Sequence, residues 1–457
     1  MAELAHTQEP GLKQSGIEPG ADLLELSRLE AVLGYDLQRG RPAIPSDRNL
    51  NINDLFPTTK GREVIASGRY PMYTAEEAGV YSDHPLWYTY GYGEFPNMTT
   101  GSRGACMVPE EGAVALVHQS TADAKRYQSY MSEMLGYKAR LVTYAGDYRE
   151  RFAALARRRV AVVPAPHIPE VLGENIEYTV NPRIISRVNS KDNLGEFVPK
   201  EALPNRVTGV ALEEFAVAEA MAVQSLDFPV VIKGGGGNTG GEAVRIIERE
   251  DELSAALEAL KELNCGTITV EEYFEHSDSL GLQFIASDED VRFLGFSRQV
   301  LEDDGRSHEG NLFEIDQARD PDMVQEVVWR NCLQTAGNMQ AIGYRGPVGL
   351  DALYNACTNE VRIVDPNARI TAASPTLALL PRMRELMAVR ATEMEFTAIE
   401  FRTSIDEAVR SMSGLLERGE IFMLGAAADS RHSKIQMTMA GDAERRTQIK
   451  RELQKVS

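Results

Sequence analysis

Residues 346–375, GPVGLDALYNACTNEVRIVDPNARITAASP, contain two runs of β-forming residues separated by a polar turn. The runs are PVGLDALY and VRIVDPNAR, and the intervening NACTNE is typical of a tight connection. This pattern predicts a β-hairpin whose strands are antiparallel neighbours. With the turn centred near residue 358, Asp351 and Asp365 each lie seven residues from it, so we expect them to face each other on one side of the hairpin.

Two facing carboxylates repel each other unless a cation lies between them. Asn367 adds an amide oxygen nearby, and hard oxygen ligands of this kind suit Mg²⁺ that bridges triphosphate oxygens. Arg369 on the same face would complete a clamp on negative charge. The alternative is that both aspartates are ordinary exposed strand residues, but acidic residues flanked by VGL and IV are costly unless they have a partner. The hairpin therefore predicts a metal site.

A second stretch, FPVVIKGGGGNTGGEAVRII at residues 228–247, runs from an apolar strand that ends at Lys233 through a glycine-rich loop into another strand. Consecutive glycine amides can point at phosphate oxygens, and a lysine at the strand end supplies positive charge to them. The alternative is a flexible hairpin tip, but this many glycines add an entropic cost that a structural turn does not need.

The glycine-rich loop, residues 234–241, is not one of the common nucleotide-binding loops. It lacks GxxxxGK[ST], and a strand follows it where a Rossmann fingerprint has a helix. We expect it to close as a lid over phosphate groups. The candidate contacts are Lys233, Gly234, Gly235, Gly236, Gly237, Asn238, Thr239 and Gly240.

Further candidates lie between these two motifs. The stretch TITVEEYFEH ends a β-rich run with Glu271, Glu272, Tyr273 and Phe274, although a lone pair of glutamates is usually a solvent-exposed edge. Arg298 in GFSRQV could contact a carboxylate or phosphate. His308 in GRSHEGN could line a substrate site, with a purely structural role as an equal alternative for a lone loop histidine.

The remaining sequence predicts a multidomain protein of mixed α/β and α+β class. GAVALVHQ, a helical run, KARLVTY, a second helix and RRVAVVPAP alternate as β-α-β-α-β, which predicts a small domain with a parallel sheet. A helix is expected at residues 21–37, and the Tyr- and Gly-rich residues 68–103 are expected to be an ordered loop region. We expect a mobile tail at 1–20, an N-terminal region at 21–184 with its α/β core at about 112–167, a nucleotide-binding domain at 185–380 and a C-terminal α+β cap at 381–457.

Composition limits the classes of partner. The chain has 457 residues and a formal net charge of −20, which disfavours nonspecific contact with nucleic acid but not a locally positive nucleotide site. Its four cysteines are scattered without CxxC spacing, which fits a reducing cytoplasm. We expect no membrane span and no export signal, and association into a homodimer is left open.

The order of the motifs resembles the ATP-grasp superfamily. They are a lysine in NSKD, a strand-end lysine before a glycine-rich lid, an EEYF hinge and two acidic strands that end in DPNAR. The resemblance covers roughly residues 185–380 and rests on the ordered set. It implies an ATP-grasp fold with an N-terminal α/β pre-ATP-grasp domain, and the small cap is similar to that of the larger peptide ligases of secondary metabolism.

The resemblance also implies roles for matching residues. Lys191 and Lys233 would contact ATP phosphates, Glu271, Glu272, Tyr273 and Phe274 would form the adenine-binding hinge, and Arg369 would steady the transferred phosphate. Asp351, Asp365 and Asn367 would bind Mg²⁺, with two ions expected. The family often has glutamate at the two acidic metal positions, so the shorter aspartates of this chain could shift the ions or lower their affinity.

The reaction implied by the resemblance is ATP-dependent ligation. A carboxylate substrate, expected to be an amino acid or a peptide-like small molecule, would be phosphorylated and then attacked by an amine to give an amide. Arg298 and His308 would contact substrate. The alternatives are a phosphotransferase, a carboxylase-type enzyme that uses bicarbonate, or a noncatalytic nucleotide-binding regulator; the last should have lost some of Asp351, Asp365, Asn367 and Arg369, and all four are present.

Overall fold

The computed structural model of the chain describes residues 43–50, 52–55, 64–66, 113–117, 129–130, 133, 140–144, 161–163, 177–178, 182–234, 243–263, 265–301, 308–388, 391–428 and 432–455. Several predicted features lie outside these residues: the tail at 1–20, the helix at 21–37, the loop region at 68–103, the second helix of the N-terminal α/β pattern and residues 235–241 of the glycine-rich loop.

The N-terminal part contains a parallel sheet. Its strands are β1 (Val64–Ala66), β2 (Ala113–Val117), β3 (Arg140–Tyr144), β4 (Ala161–Val163) and β5 (Glu177–Tyr178), in the order β3-β2-β1-β4-β5. The three predicted strands are confirmed as β2, β3 and β4, and their parallel sheet is confirmed as well. The sequence analysis missed β1, which separates β2 from β4, because three residues are too short to show a period of two.

Short helices flank this sheet in the sequence. They are α1 (Ile52–Leu55) before β1 and α2 (Pro182–Val188) after β5, and a 3₁₀-helix at Lys191–Glu196 follows α2. The 3₁₀-helix matters for the site because it begins at Lys191, which is buried.

A four-stranded antiparallel sheet carries the glycine-rich loop. Its strands are β6 (Arg206–Val210), β7 (Val230–Gly234), β8 (Val244–Ile247) and β9 (Ile268–Glu272), in the order β6-β9-β7-β8. Helices α3 (Glu214–Gln224) and α4 (Leu253–Glu262) share a buried apolar core with these strands. Because β7 and β8 pair antiparallel, the predicted strand-loop-strand arrangement around the glycines is confirmed.

The largest sheet has eight antiparallel strands in the order β14-β13-β10-β11-β12-β15-β17-β16. Their bounds are β10 (Asp278–Ala286), β11 (Val291–Leu301), β12 (His308–Glu314), β13 (Gly346–Asn355), β14 (Glu360–Asn367), β15 (Glu393–Phe401), β16 (Ile421–Ala428) and β17 (Ser433–Ala440). Helix α5 (Glu326–Ala341) packs on one face, where Trp329 contacts Phe284 and Phe293. Helix α6 (Ala373–Leu386) crosses β11 at Gly295, where an added Cβ would lie 2.6 Å from a Leu377 methyl carbon.

The C-terminal elements follow the predicted order and continue the largest sheet. The first predicted helix is divided at Met412 into α7 (Ile405–Ser411) and α8 (Ser413–Glu417), and α9 (Ala443–Gln454) follows β17. Strands β15, β17 and β16 pair in series beyond β12. The domain boundaries at 184 and 380 stay predictions, and they fall within α2 and α6. In the described part of the chain, no helix combines the length and the apolar character needed to span a bilayer.

Candidate active site

The site begins with the hairpin of β13 and β14. The two strands are antiparallel, and Asp351 lies opposite Asp365, as the sequence predicted. Near the turn, however, the register pairs Ala352 with Ile363, so a regular ladder would place Val364 opposite Asp351. A β-bulge at Val364 takes up the extra residue and turns Asp365 onto the face that bears Asp351. The predicted pair therefore depends on an irregularity that the sequence analysis did not foresee.

The same bulge provides a contact for Lys233. The Lys233 ammonium at the end of β7 donates to the Val364 carbonyl, with 2.9 Å between Nζ and O. A bulged residue is left out of the regular ladder, so its carbonyl is free to accept from a side chain. This hydrogen bond joins the four-stranded sheet to the eight-stranded sheet at the acidic pair.

The two predicted lysines meet at this edge from different elements. Lys191, at the start of its 3₁₀-helix, makes an ion pair and hydrogen bond with the Asp365 carboxylate. Lys233 forms an ion pair with Glu271 of β9, with 2.5 Å between Nζ and Oε2. Burial lowers the pKa of Lys233, and Lys191 lowers it further, while Glu271 and Asp365 act in the opposite direction.

Asp351 is a buried carboxylate whose charge is only partly compensated. Burial raises its pKa from 3.8 to about 7, and the neighbouring charge of Asp365 adds to the rise. Lys191 and Arg369 oppose the shift, as does a hydrogen bond from Gln299. The Asn367 amide also donates to Asp351, with 3.2 Å between Nδ2 and Oδ2. The free protein thus holds two close carboxylates for which a nearby cation would be stabilising.

Glu271 is a buried charge with two cationic partners, and it does not lie at an exposed edge. Besides Lys233 it pairs with Arg206 of β6, at 3.1 Å between Nη1 and Oε1. Arg206 also donates to the Lys191 carbonyl at 2.6 Å. Glu271 therefore positions Lys233 directly and the Lys191 backbone through Arg206.

The neighbouring hinge residues face Arg362 of β14. The Arg362 guanidinium donates to Glu272 at 2.8 Å and lies 4.8 Å from the centre of the Phe274 ring. The bulge places Arg362 on the same face as Asp365 although the two are three residues apart. The predicted hinge thus lies beside the acidic hairpin, and it is held there by a residue that the sequence analysis did not select.

Asn189 is a further residue that the sequence analysis missed. It is 6% exposed, and its Oδ1 accepts from the Ala368 amide at 2.9 Å and from Arg369 Nη1 at 3.2 Å. Its Nδ2 donates to the Ile185 carbonyl at 2.9 Å and to the Ala368 carbonyl at 3.3 Å. Asn189 ties the segment before Lys191 to the loop that carries Arg369. Its place in NSKD, two residues before the lysine, is the signal that could have drawn attention to it.

The other predicted residues lie apart from this cluster or outside the described side chains. In the large sheet, Asp351 pairs with Gly281 of β10, whereas Arg298 pairs with the adjacent residue, Leu280. Because successive residues of a strand point to opposite faces, Arg298 lies on the face opposite Asp351. Its side chain is 55% exposed and lies 3.5 Å from Glu314. His308 begins β12, but its side chain is outside the described part. Of the glycine-rich loop, Gly234 ends β7 and residues 235–241 are not described.

The donor set at the hairpin fits a hard divalent cation. Asp351, Asp365 and Asn367 offer carboxylate and amide oxygens, the ligand types that Mg²⁺ prefers. Among the described residues, no cluster of three or more His, Cys, Asp or Glu side chains forms a metal cage. The arrangement of two carboxylates and an amide suits an ion that takes its remaining ligands from phosphate and water.

The comparisons with known proteins agree with this geometry. Residues 209–367 match the family model described as "L-aspartate--L-methionine ligase, ATP grasp", a range that runs from the last two residues of β6 to the end of β14 and includes Lys233, Glu271 and the acidic hairpin. No curated protein sequence gives a match.

Solved structures show the same fold at low sequence identity. One is N5-carboxyaminoimidazole synthase from Aspergillus clavatus in complex with ADP and 5-aminoimidazole ribonucleotide, which is 16% identical in sequence. The superposition covers 86% of this chain and 98% of that chain, with a TM-score of 0.50. The ATP complex of carboxyaminoimidazole ribonucleotide synthase from that organism is 16% identical and covers 87% and 99%, with a TM-score of 0.52. The Staphylococcus aureus synthetase with ADP is 10% identical and covers 77% and 92%, with a TM-score of 0.51.

Proposed function

We propose that this chain, which belongs to the ATP-grasp superfamily of ATP-dependent ligases, joins a carboxylate to an amine through an acylphosphate. One observation carries the proposal. Lys191 and Lys233, 42 residues apart and in different elements, converge on the pair formed by Asp351 and Asp365 at the edge between two sheets. Such a convergence of cations with a carboxylate pair suits a metal-bound triphosphate.

The reaction consists of two displacements. In the first, a carboxylate oxygen of the substrate attacks the γ-phosphorus of ATP, the bond from that phosphorus to the bridging oxygen breaks, and ADP leaves. In the second, the amine nitrogen attacks the acyl carbon, the carbon–oxygen bond to phosphate breaks, and the nitrogen loses a proton. No protein nucleophile is needed, so positioning and charge neutralisation provide the catalysis.

The lysines and the arginine neutralise developing charge. Lys191 and Lys233 bind phosphate oxygens, and Glu271 and Asp365 hold their ammonium groups in place before ATP binds. Arg369 stabilises the transferred phosphoryl group, and Asn189 fixes its guanidinium. Glu272, Tyr273 and Phe274 form the adenine-binding hinge, and residues 234–241 close over the phosphates to exclude water from the acylphosphate.

Asp351, Asp365 and Asn367 would hold magnesium, with two ions as the proposed number. When bound, the ions would polarise the phosphate oxygens and offset the repulsion between the two carboxylates. Lys191 pairs with Asp365 in the free protein. It therefore lies close to where Asp365 would hold an ion, and from there it could also contact the phosphate oxygens of ATP.

Amino acids are the proposed substrates. The match to a family described as an aspartate–methionine ligase supports this class, and L-aspartate with L-methionine is the first pair to test. Arg298 and His308 stay proposals as substrate contacts, and Arg298 could act only from the face of the sheet opposite Asp351.

The test is release of ADP and phosphate over a panel of amino acids and short peptides, offered singly and in pairs. We expect release to require both a carboxylate and an amine, with one amide formed per ADP. A phosphorylated product without an amine requirement would indicate a phosphotransferase, and dependence on bicarbonate would indicate a carboxylase. If the protein binds nucleotide but turns over no pair of substrates, the result would indicate a noncatalytic nucleotide-binding regulator.

A paired substitution tests the metal assignment. Asp365→Asn keeps the shape of the side chain but removes its charge, so we expect turnover to fall by about 100-fold or more. Asp278→Asn on β10 is the matched control, because Asp278 faces the other side of the sheet near Arg298. Equal activity of the two variants would remove Asp365 from the site.

A further inference from the structure

Arg362 of β14 contacts three segments of the chain, and the mechanism above does not use it. Its Nε donates to Glu272 Oε1 at the end of β9, with 2.8 Å between the two atoms. Its guanidinium carbon lies 4.8 Å from the centre of the Phe274 ring. Its Nη1 donates to the Glu201 carbonyl, in a short 3₁₀-helix at Lys200–Ala202, over 3.3 Å. Arg362 therefore joins β14 to the proposed adenine hinge and to the segment that precedes β6.

The contact between Arg362 and Glu272 differs from an ordinary surface ion pair. The side chains of Arg362 and Glu272 are 17% and 29% exposed. Exposed pairs contribute little because solvent and salt screen them and because fixing two long side chains costs entropy, whereas partly buried pairs are screened much less. The Phe274 ring lies against the guanidinium and restricts the arginine further. The guanidinium is therefore held from several sides.

The bulge at Val364 relates Arg362 to the acidic hairpin. Arg362 and Asp365 point to the same face of the hairpin although they are three positions apart, because the bulge adds one residue between them. Between them, the Val364 carbonyl accepts from Lys233. Over three positions of an extended strand, the Cα atoms of Arg362 and Asp365 are at most about 10 Å apart. One short piece of β14 therefore carries the contact to the hinge, a contact to Lys233 and a carboxylate of the proposed metal site.

A nucleotide bound at this edge has to meet two sets of contacts at once. Under the proposed function its base lies in the hinge, at the end of the four-stranded sheet, and its phosphates lie against the hairpin of the eight-stranded sheet. Two linked groups bind more tightly than the separate groups only when the distance between their sites matches the linker. A contact between the two sheets is needed to fix that distance, and the ion pair of Arg362 with Glu272 is such a contact.

We propose that Arg362 is a positioning residue for the nucleotide and holds the hinge at a fixed distance from the acidic hairpin. The inference rests on the proposed function and deepens it, because it identifies the side chain that matches the hinge to the phosphate-binding groups. In this role Arg362 touches neither the base nor the phosphates, and it acts through Glu272 and Phe274. Its loss weakens the binding of a whole nucleotide and leaves the binding of the separate base and phosphate groups unchanged.

The experiment measures three dissociation constants in the presence of Mg²⁺: for ATP, for inorganic tripolyphosphate and for adenosine. Isothermal titration calorimetry gives the first two, and competition with ATP gives the third. We expect Arg362→Met to raise the Kd for ATP by about tenfold or more. The Kd values for tripolyphosphate and adenosine should change by about twofold or less, because each fragment uses only one of the two sites.

Arg345→Met is the matched control. Arg345 lies just before β13, and its Nε donates to Asp288 Oδ1 at 2.7 Å while its Nη1 donates to the Gln340 carbonyl at 2.7 Å. Its side chain is 23% exposed, close to the value for Arg362. The control therefore removes a comparable ion pair that does not involve the hinge, and all three dissociation constants should stay at their wild-type values.

Three results would overturn the proposal. An unchanged Kd for ATP in Arg362→Met would show that the nucleotide does not depend on this contact. Equal rises for ATP and adenosine would show that Arg362 only maintains the shape of the hinge. Equal rises for ATP and tripolyphosphate would make Arg362 a phosphate contact.

Arg362→Gln provides a second, milder variant in case Arg362→Met does not fold, which melting curves would reveal. It retains a donor but loses the charge, so we expect the same pattern of dissociation constants. In a Glu272→Gln background the further rise in the Kd for ATP should be about twofold or less, because the partner of Arg362 has already lost its charge. Effects that multiply in the double variant would show that Arg362 does not act through Glu272, and would contradict the proposal.

These binding measurements need no turnover, so they separate the inference from the proposed function. If no substrate pair yields an amide, the proposed function fails, and the three dissociation constants still decide the role of Arg362. If the wild-type protein makes an amide and Arg362→Met binds ATP as tightly as the wild type does, the inference fails while the proposed function stands.

Discussion

Single cationic residues in this site are held by carboxylate or amide partners before any ligand binds. Lys191 contacts Asp365, Lys233 contacts Glu271, and Arg369 contacts the Asn189 amide oxygen. Each cation is therefore fixed in position by a partner, and it can keep that contact while it binds a phosphate oxygen. Asp351 differs, because its neighbours do not offset the cost of burying its charge, and its pKa of about 7 reflects that imbalance.

The raised pKa of Asp351 predicts how stability depends on pH. The folded state binds this proton more tightly than the unfolded chain, so the destabilising effect is absent below about pH 4, grows between pH 4 and 7 and is complete above pH 7. Asp351→Asn removes the charge. We expect the metal-free variant to melt a few degrees above the wild type at pH 8, with a smaller difference at pH 5.

The measurement is thermal unfolding by circular dichroism in EDTA at both pH values, with Asp278→Asn, a partly exposed aspartate on the other face of the sheet, as the control. The same variant should lose metal-dependent turnover. An equal difference at pH 5 and pH 8, or a lower melting temperature at pH 8, would contradict the assigned environment of Asp351.

At the scale of elements, the acidic hairpin shows what the sequence could and could not predict. Two β-forming runs around a polar turn were sufficient to predict the strands and the facing aspartates. The bulge at Val364 was not predictable, because a bulge is one extra residue accommodated by the partner strand and leaves no periodic signal. Counting seven residues to either side of residue 358 gave the right pair of aspartates. The centre of the observed turn, between Asn355 and Glu360, lies half a residue before 358, and the one extra residue in the bulge moves the centre of the Asp351–Asp365 pair to 358.

Contacts between side chains that are distant in the sequence could not be predicted either. The roles of Asn189, Arg206 and Arg362 depend on contacts with residues 65 to 180 positions away, and no local pattern encodes such a distance. The matched lysines were found because they stand in short motifs. Arg298 shows the limit of that approach, because an arginine between two motifs turned out to face the other side of the sheet.

Asn189 provides a prediction at this scale, because it joins two elements. Asn189→Ala removes the acceptor for Ala368 and Arg369, so we expect kcat to fall by about tenfold, with a smaller change in the KM for ATP. Asn189→Asp retains an acceptor and should recover most of the loss. Asn193→Ala, which removes only an exposed bond to the Arg187 carbonyl, is the control. Equal kcat values for Asn189→Ala and the control would show that Asn189 does not position Arg369.

The whole molecule combines an acidic chain with a site where several cationic side chains gather around carboxylates. The net charge of −20 is spread over the chain, while Lys191, Lys233, Arg206 and Arg369 gather where the four-stranded and eight-stranded sheets meet. Low-dielectric surroundings strengthen such charges relative to the same groups in water. Such a cluster of cations within an acidic chain is the arrangement expected of a nucleotide site that disfavours long anionic polymers.

We expect phosphate to be transferred to a carboxylate before the amine attacks. The direct measurement is turnover with a carboxylate substrate labelled with ¹⁸O in both oxygens, followed by ³¹P NMR of the released phosphate. We expect one ¹⁸O atom in each phosphate, because the attacking carboxylate oxygen remains on phosphorus when the amine displaces phosphate from the acyl carbon. Phosphate without ¹⁸O, released at the same rate as the amide, would contradict the account.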